Sequence, residues 1–159
     1  MYWIFDPVHI LKLIRNHVLD NGLFLDTGVK VTKIKFKKLI TKLRTGNLQI
    51  ESKISMQHLD VKNQDRQKVI LATQFFSATT AEAFLKAFPG DQIMAKVSQF
   101  VTEVDEWFDV WNSVIKEHPN PKKRLKSGYR IHLEVCLDIY TFSGHYLFGH
   151  LEKLLSLLW

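Results

Sequence analysis

Residues 91–115 read DQIMAKVSQFVTEVDEWFDVWNSVI and carry the clearest helical signal in the chain. Asp91 can accept hydrogen bonds from the first N–H groups of a helix, so we place it as the N-cap. The apolar residues recur at a helical period, which predicts that one face of this helix is buried. The residues that keep the period are Ile93, Val97, Phe100, Val101, Val104, Trp107, Phe108, Trp111, Val114 and Ile115.

A second helix is predicted near the beginning of the sequence. Residues 7–20 have apolar side chains at helical spacing, with Asp6-Pro7 suited to begin a helix and Asn21-Gly22 suited to end it. The aromatic and β-branched residues at positions 2–5 favour a short buried strand just upstream. We therefore expect a strand followed by a helix.

Residues 31–46, VTKIKFKKLITKLRTG, predict a basic amphipathic helix that ends at Gly46. Its cations have two interpretations, an ordinary solvated face, which is the commoner case, or a surface that binds phosphate groups. The apolar stripe consists of Phe36, Leu39, Ile40 and Leu43, and the surrounding cations are Lys33, Lys35, Lys37, Lys38 and Lys42.

The middle of the chain predicts a helical hairpin. One helix is expected from about Asp60 to Ser77, with Val69 among its apolar residues. A second helix has capping-box spacing between Thr79 and Glu82 and stops at Pro89-Gly90. Further along, the proline- and cation-rich residues 117–128 predict a loop, and residues 129–140 fit either a strand or a helix.

The composition favours a folded protein with an anionic partner. Twenty-two Lys and Arg against sixteen Asp and Glu give a net charge of +6, which suits nucleic acid or nucleotide phosphate. Cys136 is the single cysteine, so an internal disulfide framework is excluded. Charged residues interrupt the apolar stretch 140–159, so we expect no membrane association.

The motifs of common nucleotide enzymes are absent. The sequence contains neither a Gly-x4-Gly-Lys-Ser/Thr phosphate loop nor a Gly-x-Gly-x-x-Gly run, which argues against a conventional nucleotidase or Rossmann enzyme. His9 and His17 lie eight residues apart, about two helical turns, which is too far for easy joint binding of zinc.

Asp109 and Asn112 are candidates for recognition of a nucleobase. Three residues apart on a helix, they neighbour each other beside the aromatic stripe. A carboxylate can accept two parallel hydrogen bonds from guanine N1–H and N2–H, and an amide can contact O6 or N7. The alternative is that both are ordinary polar residues on an exposed helix face, which is the commoner situation.

Asp6 also has two interpretations, because it lies where an expected strand becomes a helix. An aspartate before proline at a helix start is usually a cap. The alternative is a metal-binding carboxylate of an active site, and the longer motif around Asp6 bears on that choice.

Three segments in this order resemble the P-element transposase family, including its THAP-domain relatives. They are FDPVHILKLIRNHVLDNG at 5–22, SKISMQHLDVKNQDRQKVILATQFFSATTA at 52–81 and VDEWFDVWNS at 104–113. The resemblance implies a ribonuclease H-like catalytic domain that uses three acids and divalent metal, with a mostly helical GTP-binding domain inserted into it. It therefore implies a mainly α fold for this chain, preceded by one strand and helix of the catalytic core.

The resemblance also implies a division of the chain and a role for Asp6. Residues 1–22 correspond to a fragment of the ribonuclease H-like core, 23–118 to the GTP-binding insertion, and 119–159 to a loop and an unassigned segment. Asp6 matches the second catalytic acid and is expected to bind Mg²⁺. We find no match for the other two acids in this chain, with Glu134, Asp138 and Glu152 poor substitutes, so catalysis by this chain alone is not expected.

The residues that match the nucleotide contacts of the family lie between residues 53 and 112. Singly they would be assigned to the surface or the core, and together the resemblance implies that they bind GTP. The set is Lys53, Lys68, Val69, Ser77, Asp109 and Asn112.

The expected function is that of a fragment of a P-element-like DNA transposase. The fragment is expected to bind GTP with Mg²⁺ and to contact transposon DNA, within a nuclear parent protein that can form a homo-oligomer. The alternative is a degenerate or domesticated remnant that acts as a helical interaction module without binding nucleotide.

Overall fold

The computed structural model describes residues 6–46 and 51–112 of the 159-residue chain. The strand expected at 2–5, the loop at 117–128 and the segment at 129–140 lie outside the described residues. Six α-helices, a 3-10 helix (Asn63–Gln67) and two short strands occur in the described part. They are α1 (Pro7–Asp20), β1 (Leu23–Phe24), β2 (Lys30–Val31), α2 (Lys33–Thr45), α3 (Met56–Leu59), α4 (Val69–Phe75), α5 (Ala78–Ala87) and α6 (Gln92–Trp111).

Helices α5 and α6 form the central hairpin of the fold. Asp91 caps α6 as predicted, since its carboxylate accepts from the N–H groups of Ile93 at 2.9 Å and Met94 at 3.1 Å. The Ser98 hydroxyl donates to the Ala81 carbonyl at 2.7 Å and joins the two helices. The side chains that α6 buries are Met94, Val97, Ser98, Phe100, Val101, Val104, Trp107 and Phe108.

The prediction that Ile93 belongs to the buried face of α6 was wrong. Ile93 is 51% exposed, whereas Met94 is buried. The core-facing positions of α6 are separated by three or four residues beginning at Met94, and Ile93 lies about 100° around the helix from that starting point. The predictions for Trp111, Val114 and Ile115 lie outside the described side chains.

Aromatic rings connect four helices in one core. Phe36 of α2 stacks on Phe75 at the end of α4, with a centroid separation of 4.1 Å, and meets Phe84 of α5 edge-on at 5.2 Å. Phe76 follows α4 and contacts both Phe75, at 4.9 Å, and Phe100 of α6, at 5.9 Å. Apolar side chains of α1, including Leu11 and Val18, belong to the same buried cluster, so the helices share a continuous core.

The N-terminal helix follows its sequence signals at both ends. The Asp6 carboxylate accepts a hydrogen bond from the N–H of Val8 at 3.0 Å, with Pro7 as the first helical residue. Asn21 ends the helix, and Gly22 follows in the left-handed conformation with φ of 75°. The basic helix α2 also forms, and Gly46 ends it.

The single helix predicted between Asp60 and Ser77 was wrong. The chain forms the 3-10 helix and α4 there instead, because Asn63 adopts a left-handed φ of 44° and Lys68 is extended. The short helix α3 and the antiparallel pair β1–β2 were not predicted either.

The capping box predicted between Thr79 and Glu82 was also wrong. Ser77 is the N-cap of α5, and its hydroxyl accepts from the Thr80 N–H at 3.3 Å. Thr79 therefore lies inside the helix, and Glu82 forms an ion pair with Lys86 at 2.6 Å.

Replacing Gly22 by alanine should destabilise the fold more than the same change at Gly28. Both glycines have φ of 75°, so either alanine should cost about 1–2 kcal/mol of backbone strain. A Cβ at Gly22 would also lie 3.0 Å from the Thr32 side chain and 3.1 Å from the Val31 carbonyl, whereas a Cβ at Gly28 meets nothing within 4 Å of the described structure. Urea unfolding of both variants checks this, and equal losses would contradict it.

Candidate functional site

Lys68 and Val69, two of the predicted nucleotide contacts, lie together at a junction of two helices. Lys68 ends the 3-10 helix and is also the N-cap of α4, with an extended backbone at φ −70° and ψ 113°. Its ammonium pairs with the Asp65 carboxylate at 2.6 Å, and both side chains are partly exposed. Val69 is half-buried at the first position of α4. An anion that approaches Lys68 must therefore compete with Asp65.

A buried guanidinium from α1 supports this junction. Arg15 has 0% exposure, and its Nη atoms donate to the carbonyls of Arg66 at 2.5 Å and Lys68 at 3.3 Å. Its Nε and Nη2 both donate to the Asn16 side chain, at 3.2 and 2.9 Å. Burial lowers the pKa of Arg15, and repulsion by Arg66 adds to this, while attraction by Asp65 opposes it. The guanidinium thus fixes two carbonyls that flank Gln67.

Further contacts tie α1 to the 3-10 helix. Arg66 donates to both carboxylate oxygens of Asp20, and Lys12 reaches the Gln67 side chain at 3.4 Å. The hydrogen bond from Arg66 is the main cause that holds the pKa of Asp20 below its usual value. The segment that carries Lys68 is therefore attached to α1 along its length.

Ser77 lies at the opposite end of α4, in the cap of α5. Its hydroxyl donates to the Gln74 carbonyl at 3.0 Å and accepts from the Thr80 N–H, so it already takes part in local structure. The next residue, Ala78, donates its N–H to the Asp105 carboxylate at 3.1 Å. This contact places the cap of α5 against the C-terminal half of α6.

Asp109 and Asn112 lie beyond that contact on α6. Asp109 is one turn after Asp105, about 6 Å further along the helix axis, and its side chain is half-buried. Asn112 is exposed and ends the helix, donating its N–H to the Phe108 carbonyl at 2.8 Å. The Ala78–Asp105 contact therefore places Asp109 about one helical turn beyond the point where α6 meets the cap of α5.

Lys53 is exposed on the segment that leads into α3. A buried histidine, His58, holds α3 to α4. Its Nδ1 accepts a hydrogen bond from the Ser55 N–H at 3.0 Å, and its Nε2 lies 2.9 Å from Oε1 of the Gln74 side chain. Because Nδ1 accepts a backbone hydrogen bond, the ring proton belongs on Nε2, which donates to Gln74. The start of α3, three residues after Lys53, therefore lies near the C-terminal end of α4, the end that precedes Ser77.

The predicted nucleotide contacts thus form two groups. Ser77 precedes Ala78, whose contact with Asp105 lies one helical turn before Asp109. Asn112 ends the same helix, and Lys53 lies on the segment that leads into α3. Lys68 and Val69 lie at the other end of α4, whose seven residues span about 10 Å.

Asp6 is exposed and serves as the cap of α1. The described residues contain no group of three or more His, Cys, Asp or Glu side chains that could hold a metal ion. The resemblance implies two further acids as partners of Asp6 in metal binding, and the sequence contains no match for either. Its role as an Mg²⁺ ligand and catalytic acid stays a prediction.

Comparison with known proteins gives the family. The family described as "TNP-like, GTP-binding insertion domain" matches residues 8–124. The chain belongs to this family. The match includes all six predicted nucleotide contacts and confirms the resemblance to P-element transposases, and the mainly α fold is confirmed as well. The domain boundary predicted at residue 22 stays a prediction.

Two relatives are similar over most of the chain. The chain is 36% identical over 111 residues to the Transposable element P transposase of Drosophila melanogaster, an alignment that includes 68% of this chain and 15% of that protein. A chain of the Drosophila P element transposase strand transfer complex has a TM-score of 0.70 and 29% identity, covering 84% of this chain and 31% of that one. The chain thus spans less than a third of either relative.

Sequence reasoning missed Arg15, His58 and Asp105. Arg15 gave a usable signal, because it lies between Leu11 and Val18 on the apolar stripe of α1, where a cation requires buried acceptors. The partners of His58 and Asp105 are distant in sequence, so local patterns could not identify them. Among the described residues, no helix combines the length and apolar character needed to cross a membrane.

The C-terminal half of α6 concentrates negative charge. Residues 103–109 contain four acids, Glu103, Asp105, Glu106 and Asp109, and no cation. Burial raises the pKa of Glu103, the Gln99 amide at 2.9 Å lowers it in part, and repulsion by Glu106 and Asp26 raises it further. Ionised Glu103 is therefore unfavourable in the folded protein.

Replacing Glu103 by glutamine should stabilise the protein at pH 7, by less than about 1 kcal/mol because the site is partly solvated. A carboxyl group whose pKa is higher in the folded state than in the unfolded state lowers the free energy of unfolding when the pH is above the folded-state pKa. It has no such effect when the pH is below the unfolded-state pKa, because the group is then protonated in both states. The gain should therefore disappear below about pH 4. Urea unfolding at both pH values, with Glu82→Gln on α5 as control, tests this; an equal gain at low pH would contradict it.

Proposed function

We propose that this chain binds GTP as the nucleotide-binding part of a P-element-like DNA transposase. The match to a GTP-binding insertion domain across residues 8–124 is the observation that supports the proposal most. The described side chains fit the ligand chemically: carboxylate and amide groups lie on α6, and exposed ammonium groups lie at Lys53 and Lys68. We also propose that the longer parent protein has the activity of a DNA transposase.

The two groups of residues suggest different tasks. Asp109 would accept hydrogen bonds from guanine N1–H and N2–H, with Asn112 contacting O6 or N7. Lys68 would exchange Asp65 for a phosphate oxygen, since an ammonium is a compact charge that can change partners. Val69 would add an apolar and backbone contact beside Lys68, and Lys53 would add a positive charge at the other end of α4. An elongated nucleotide fits groups separated by the length of α4.

Magnesium would accompany the nucleotide through its phosphate oxygens. Hard cations of this kind prefer oxygen ligands and usually keep several waters. Because the sequence has no phosphate loop, we propose that GTP is bound as an organising ligand and is not hydrolysed by this chain.

Replacing Asp109 by asparagine should weaken GTP binding and improve binding of xanthosine triphosphate. A hydrogen bond to a charged group contributes about 1.5–3 kcal/mol, so GTP affinity should fall at least about tenfold. Xanthine carries a carbonyl where guanine carries its amine, and an asparagine amide can donate to that carbonyl. Fluorescence titration of the full chain with both nucleotides measures the change in preference.

The control for this titration is Glu106→Gln, which removes the same charge from the same helix. It should leave the preference for guanine over xanthine unchanged. An equal change in both variants would contradict base recognition by Asp109. Failure of the unaltered protein to bind GTP would instead favour the remnant interaction module.

We further propose that the exposed face of α2 contacts DNA phosphates. The helix contains six cations and no acid. Three of the cations have protein contacts: Lys33 pairs with Asp60, Lys35 donates to the Lys30 carbonyl, and Lys42 lies over the Phe88 ring. Exposed positions at Lys37, Lys38 and Arg44 supply further charge for a polyanion. Such contacts give salt-dependent affinity with little sequence preference.

The double change Lys37→Gln with Lys38→Gln should weaken DNA binding on all sequences. It should also reduce the slope of log K against log salt by about 0.9 for each lost contact to duplex DNA. Fluorescence anisotropy at several salt concentrations measures both effects. Lys86→Gln with Lys96→Gln removes the same charge from α5 and α6, and an equal effect of that pair would show that net charge alone is responsible.

We also propose that the parent protein acts in the nucleus and forms a homo-oligomer. Its ribonuclease H-like domain would use Asp6 with Mg²⁺. Such a site activates the attacking oxygen and stabilises the leaving oxygen of phosphoryl transfer. A THAP domain would supply recognition of specific DNA ends.

A further inference from the structure

The structure contains a buried cation that the proposed function does not use. Arg15 is fully buried on α1, and within the described residues its guanidinium donates hydrogen bonds to two backbone carbonyls and to the Asn16 side chain. A buried charge costs free energy unless hydrogen bonds compensate it. Four donor contacts do so here, and two of them reach the segment that carries Lys68.

We propose that Arg15 is a positioning residue for nucleotide binding, which holds the backbone around Lys68 so that its ammonium meets the phosphate groups. The proposal rests on the proposed function and adds to it a residue that does not itself touch the ligand.

The geometry at the junction gives Arg15 this role. The last carbonyls of a helix lack partners within the helix, and Arg15 supplies a donor to Arg66 at the end of the 3-10 helix. It also contacts the carbonyl of Lys68, where the chain is extended between two helices. Lysine is a flexible side chain, so the direction of its ammonium depends on the backbone that carries it.

Neighbouring contacts cannot replace the guanidinium. The Arg66–Asp20 and Lys12–Gln67 contacts use side chains of the 3-10 helix, whereas Arg15 holds backbone carbonyls on both sides of residue 67. A lysine at position 15 keeps the charge but loses the planar fork that reaches both carbonyls together.

The test is a comparison of GTP and guanosine binding by the full chain with Arg15→Lys. GTP affinity should fall about fivefold, the size of one exposed charge contact, while guanosine affinity should stay unchanged because α6 reads the base. In a Lys68→Ala background the same change should alter GTP affinity by less than about twofold, because the two residues act as one unit.

Three results would overturn the inference. They are unchanged GTP affinity in Arg15→Lys, an equal loss for guanosine, or a full loss that persists in the Lys68→Ala background. If Arg15→Lys does not fold, Asn16→Ala provides the same comparison, because it removes the acceptor that orients the guanidinium. If the unaltered protein does not bind GTP, both the proposed function and this inference are rejected. If the unaltered protein binds GTP and one of the three results is found, only the inference about Arg15 is rejected.

Discussion

The packing of four helices around Phe36, Phe75, Phe76, Phe84 and Phe100 is the interaction on which the rest of the described structure depends. Aromatic pairs bury large areas and prefer stacked or edge-on geometries, so they fix both distance and orientation. Because Phe75 and Phe76 end α4, they set where Ser77 begins the next helix. The location of the polar residues around α4 therefore follows from apolar packing beneath them.

Charge is distributed unevenly over this core. The cations of α2 and the acids at the C-terminal half of α6 lie on separate helices. A polyanion is attracted to the first surface and repelled by the second, which restricts how a nucleic acid can approach. The acids near Asp109 also disfavour phosphate there, so a nucleotide that uses Asp109 for its base would direct its phosphates toward Lys68 at the other end of α4.

The parts of the fold that sequence could predict have local signals. Asp6-Pro7 and Asp91 mark helix starts through side-chain hydrogen bonds to residues two or three positions away, and both were correct. The interruption near Lys68 depends on Asn63 in a left-handed conformation and on Arg15, more than fifty residues distant. The two-residue strands are too short for a periodic signal. For the site, the resemblance supplied the residue set, and only the structure showed its division between the ends of α4.

Helix α4 is held at both of its ends by other parts of the chain. Its C-terminal end is fixed by ring contacts in the core, and its N-terminal end by the carbonyl of Lys68 against α1. Adding or removing one residue would rotate one end relative to the other by about 100° and shift it by about 1.5 Å. Related chains that keep both anchors should therefore vary in the side chains on the outer surface of this helix while preserving its length.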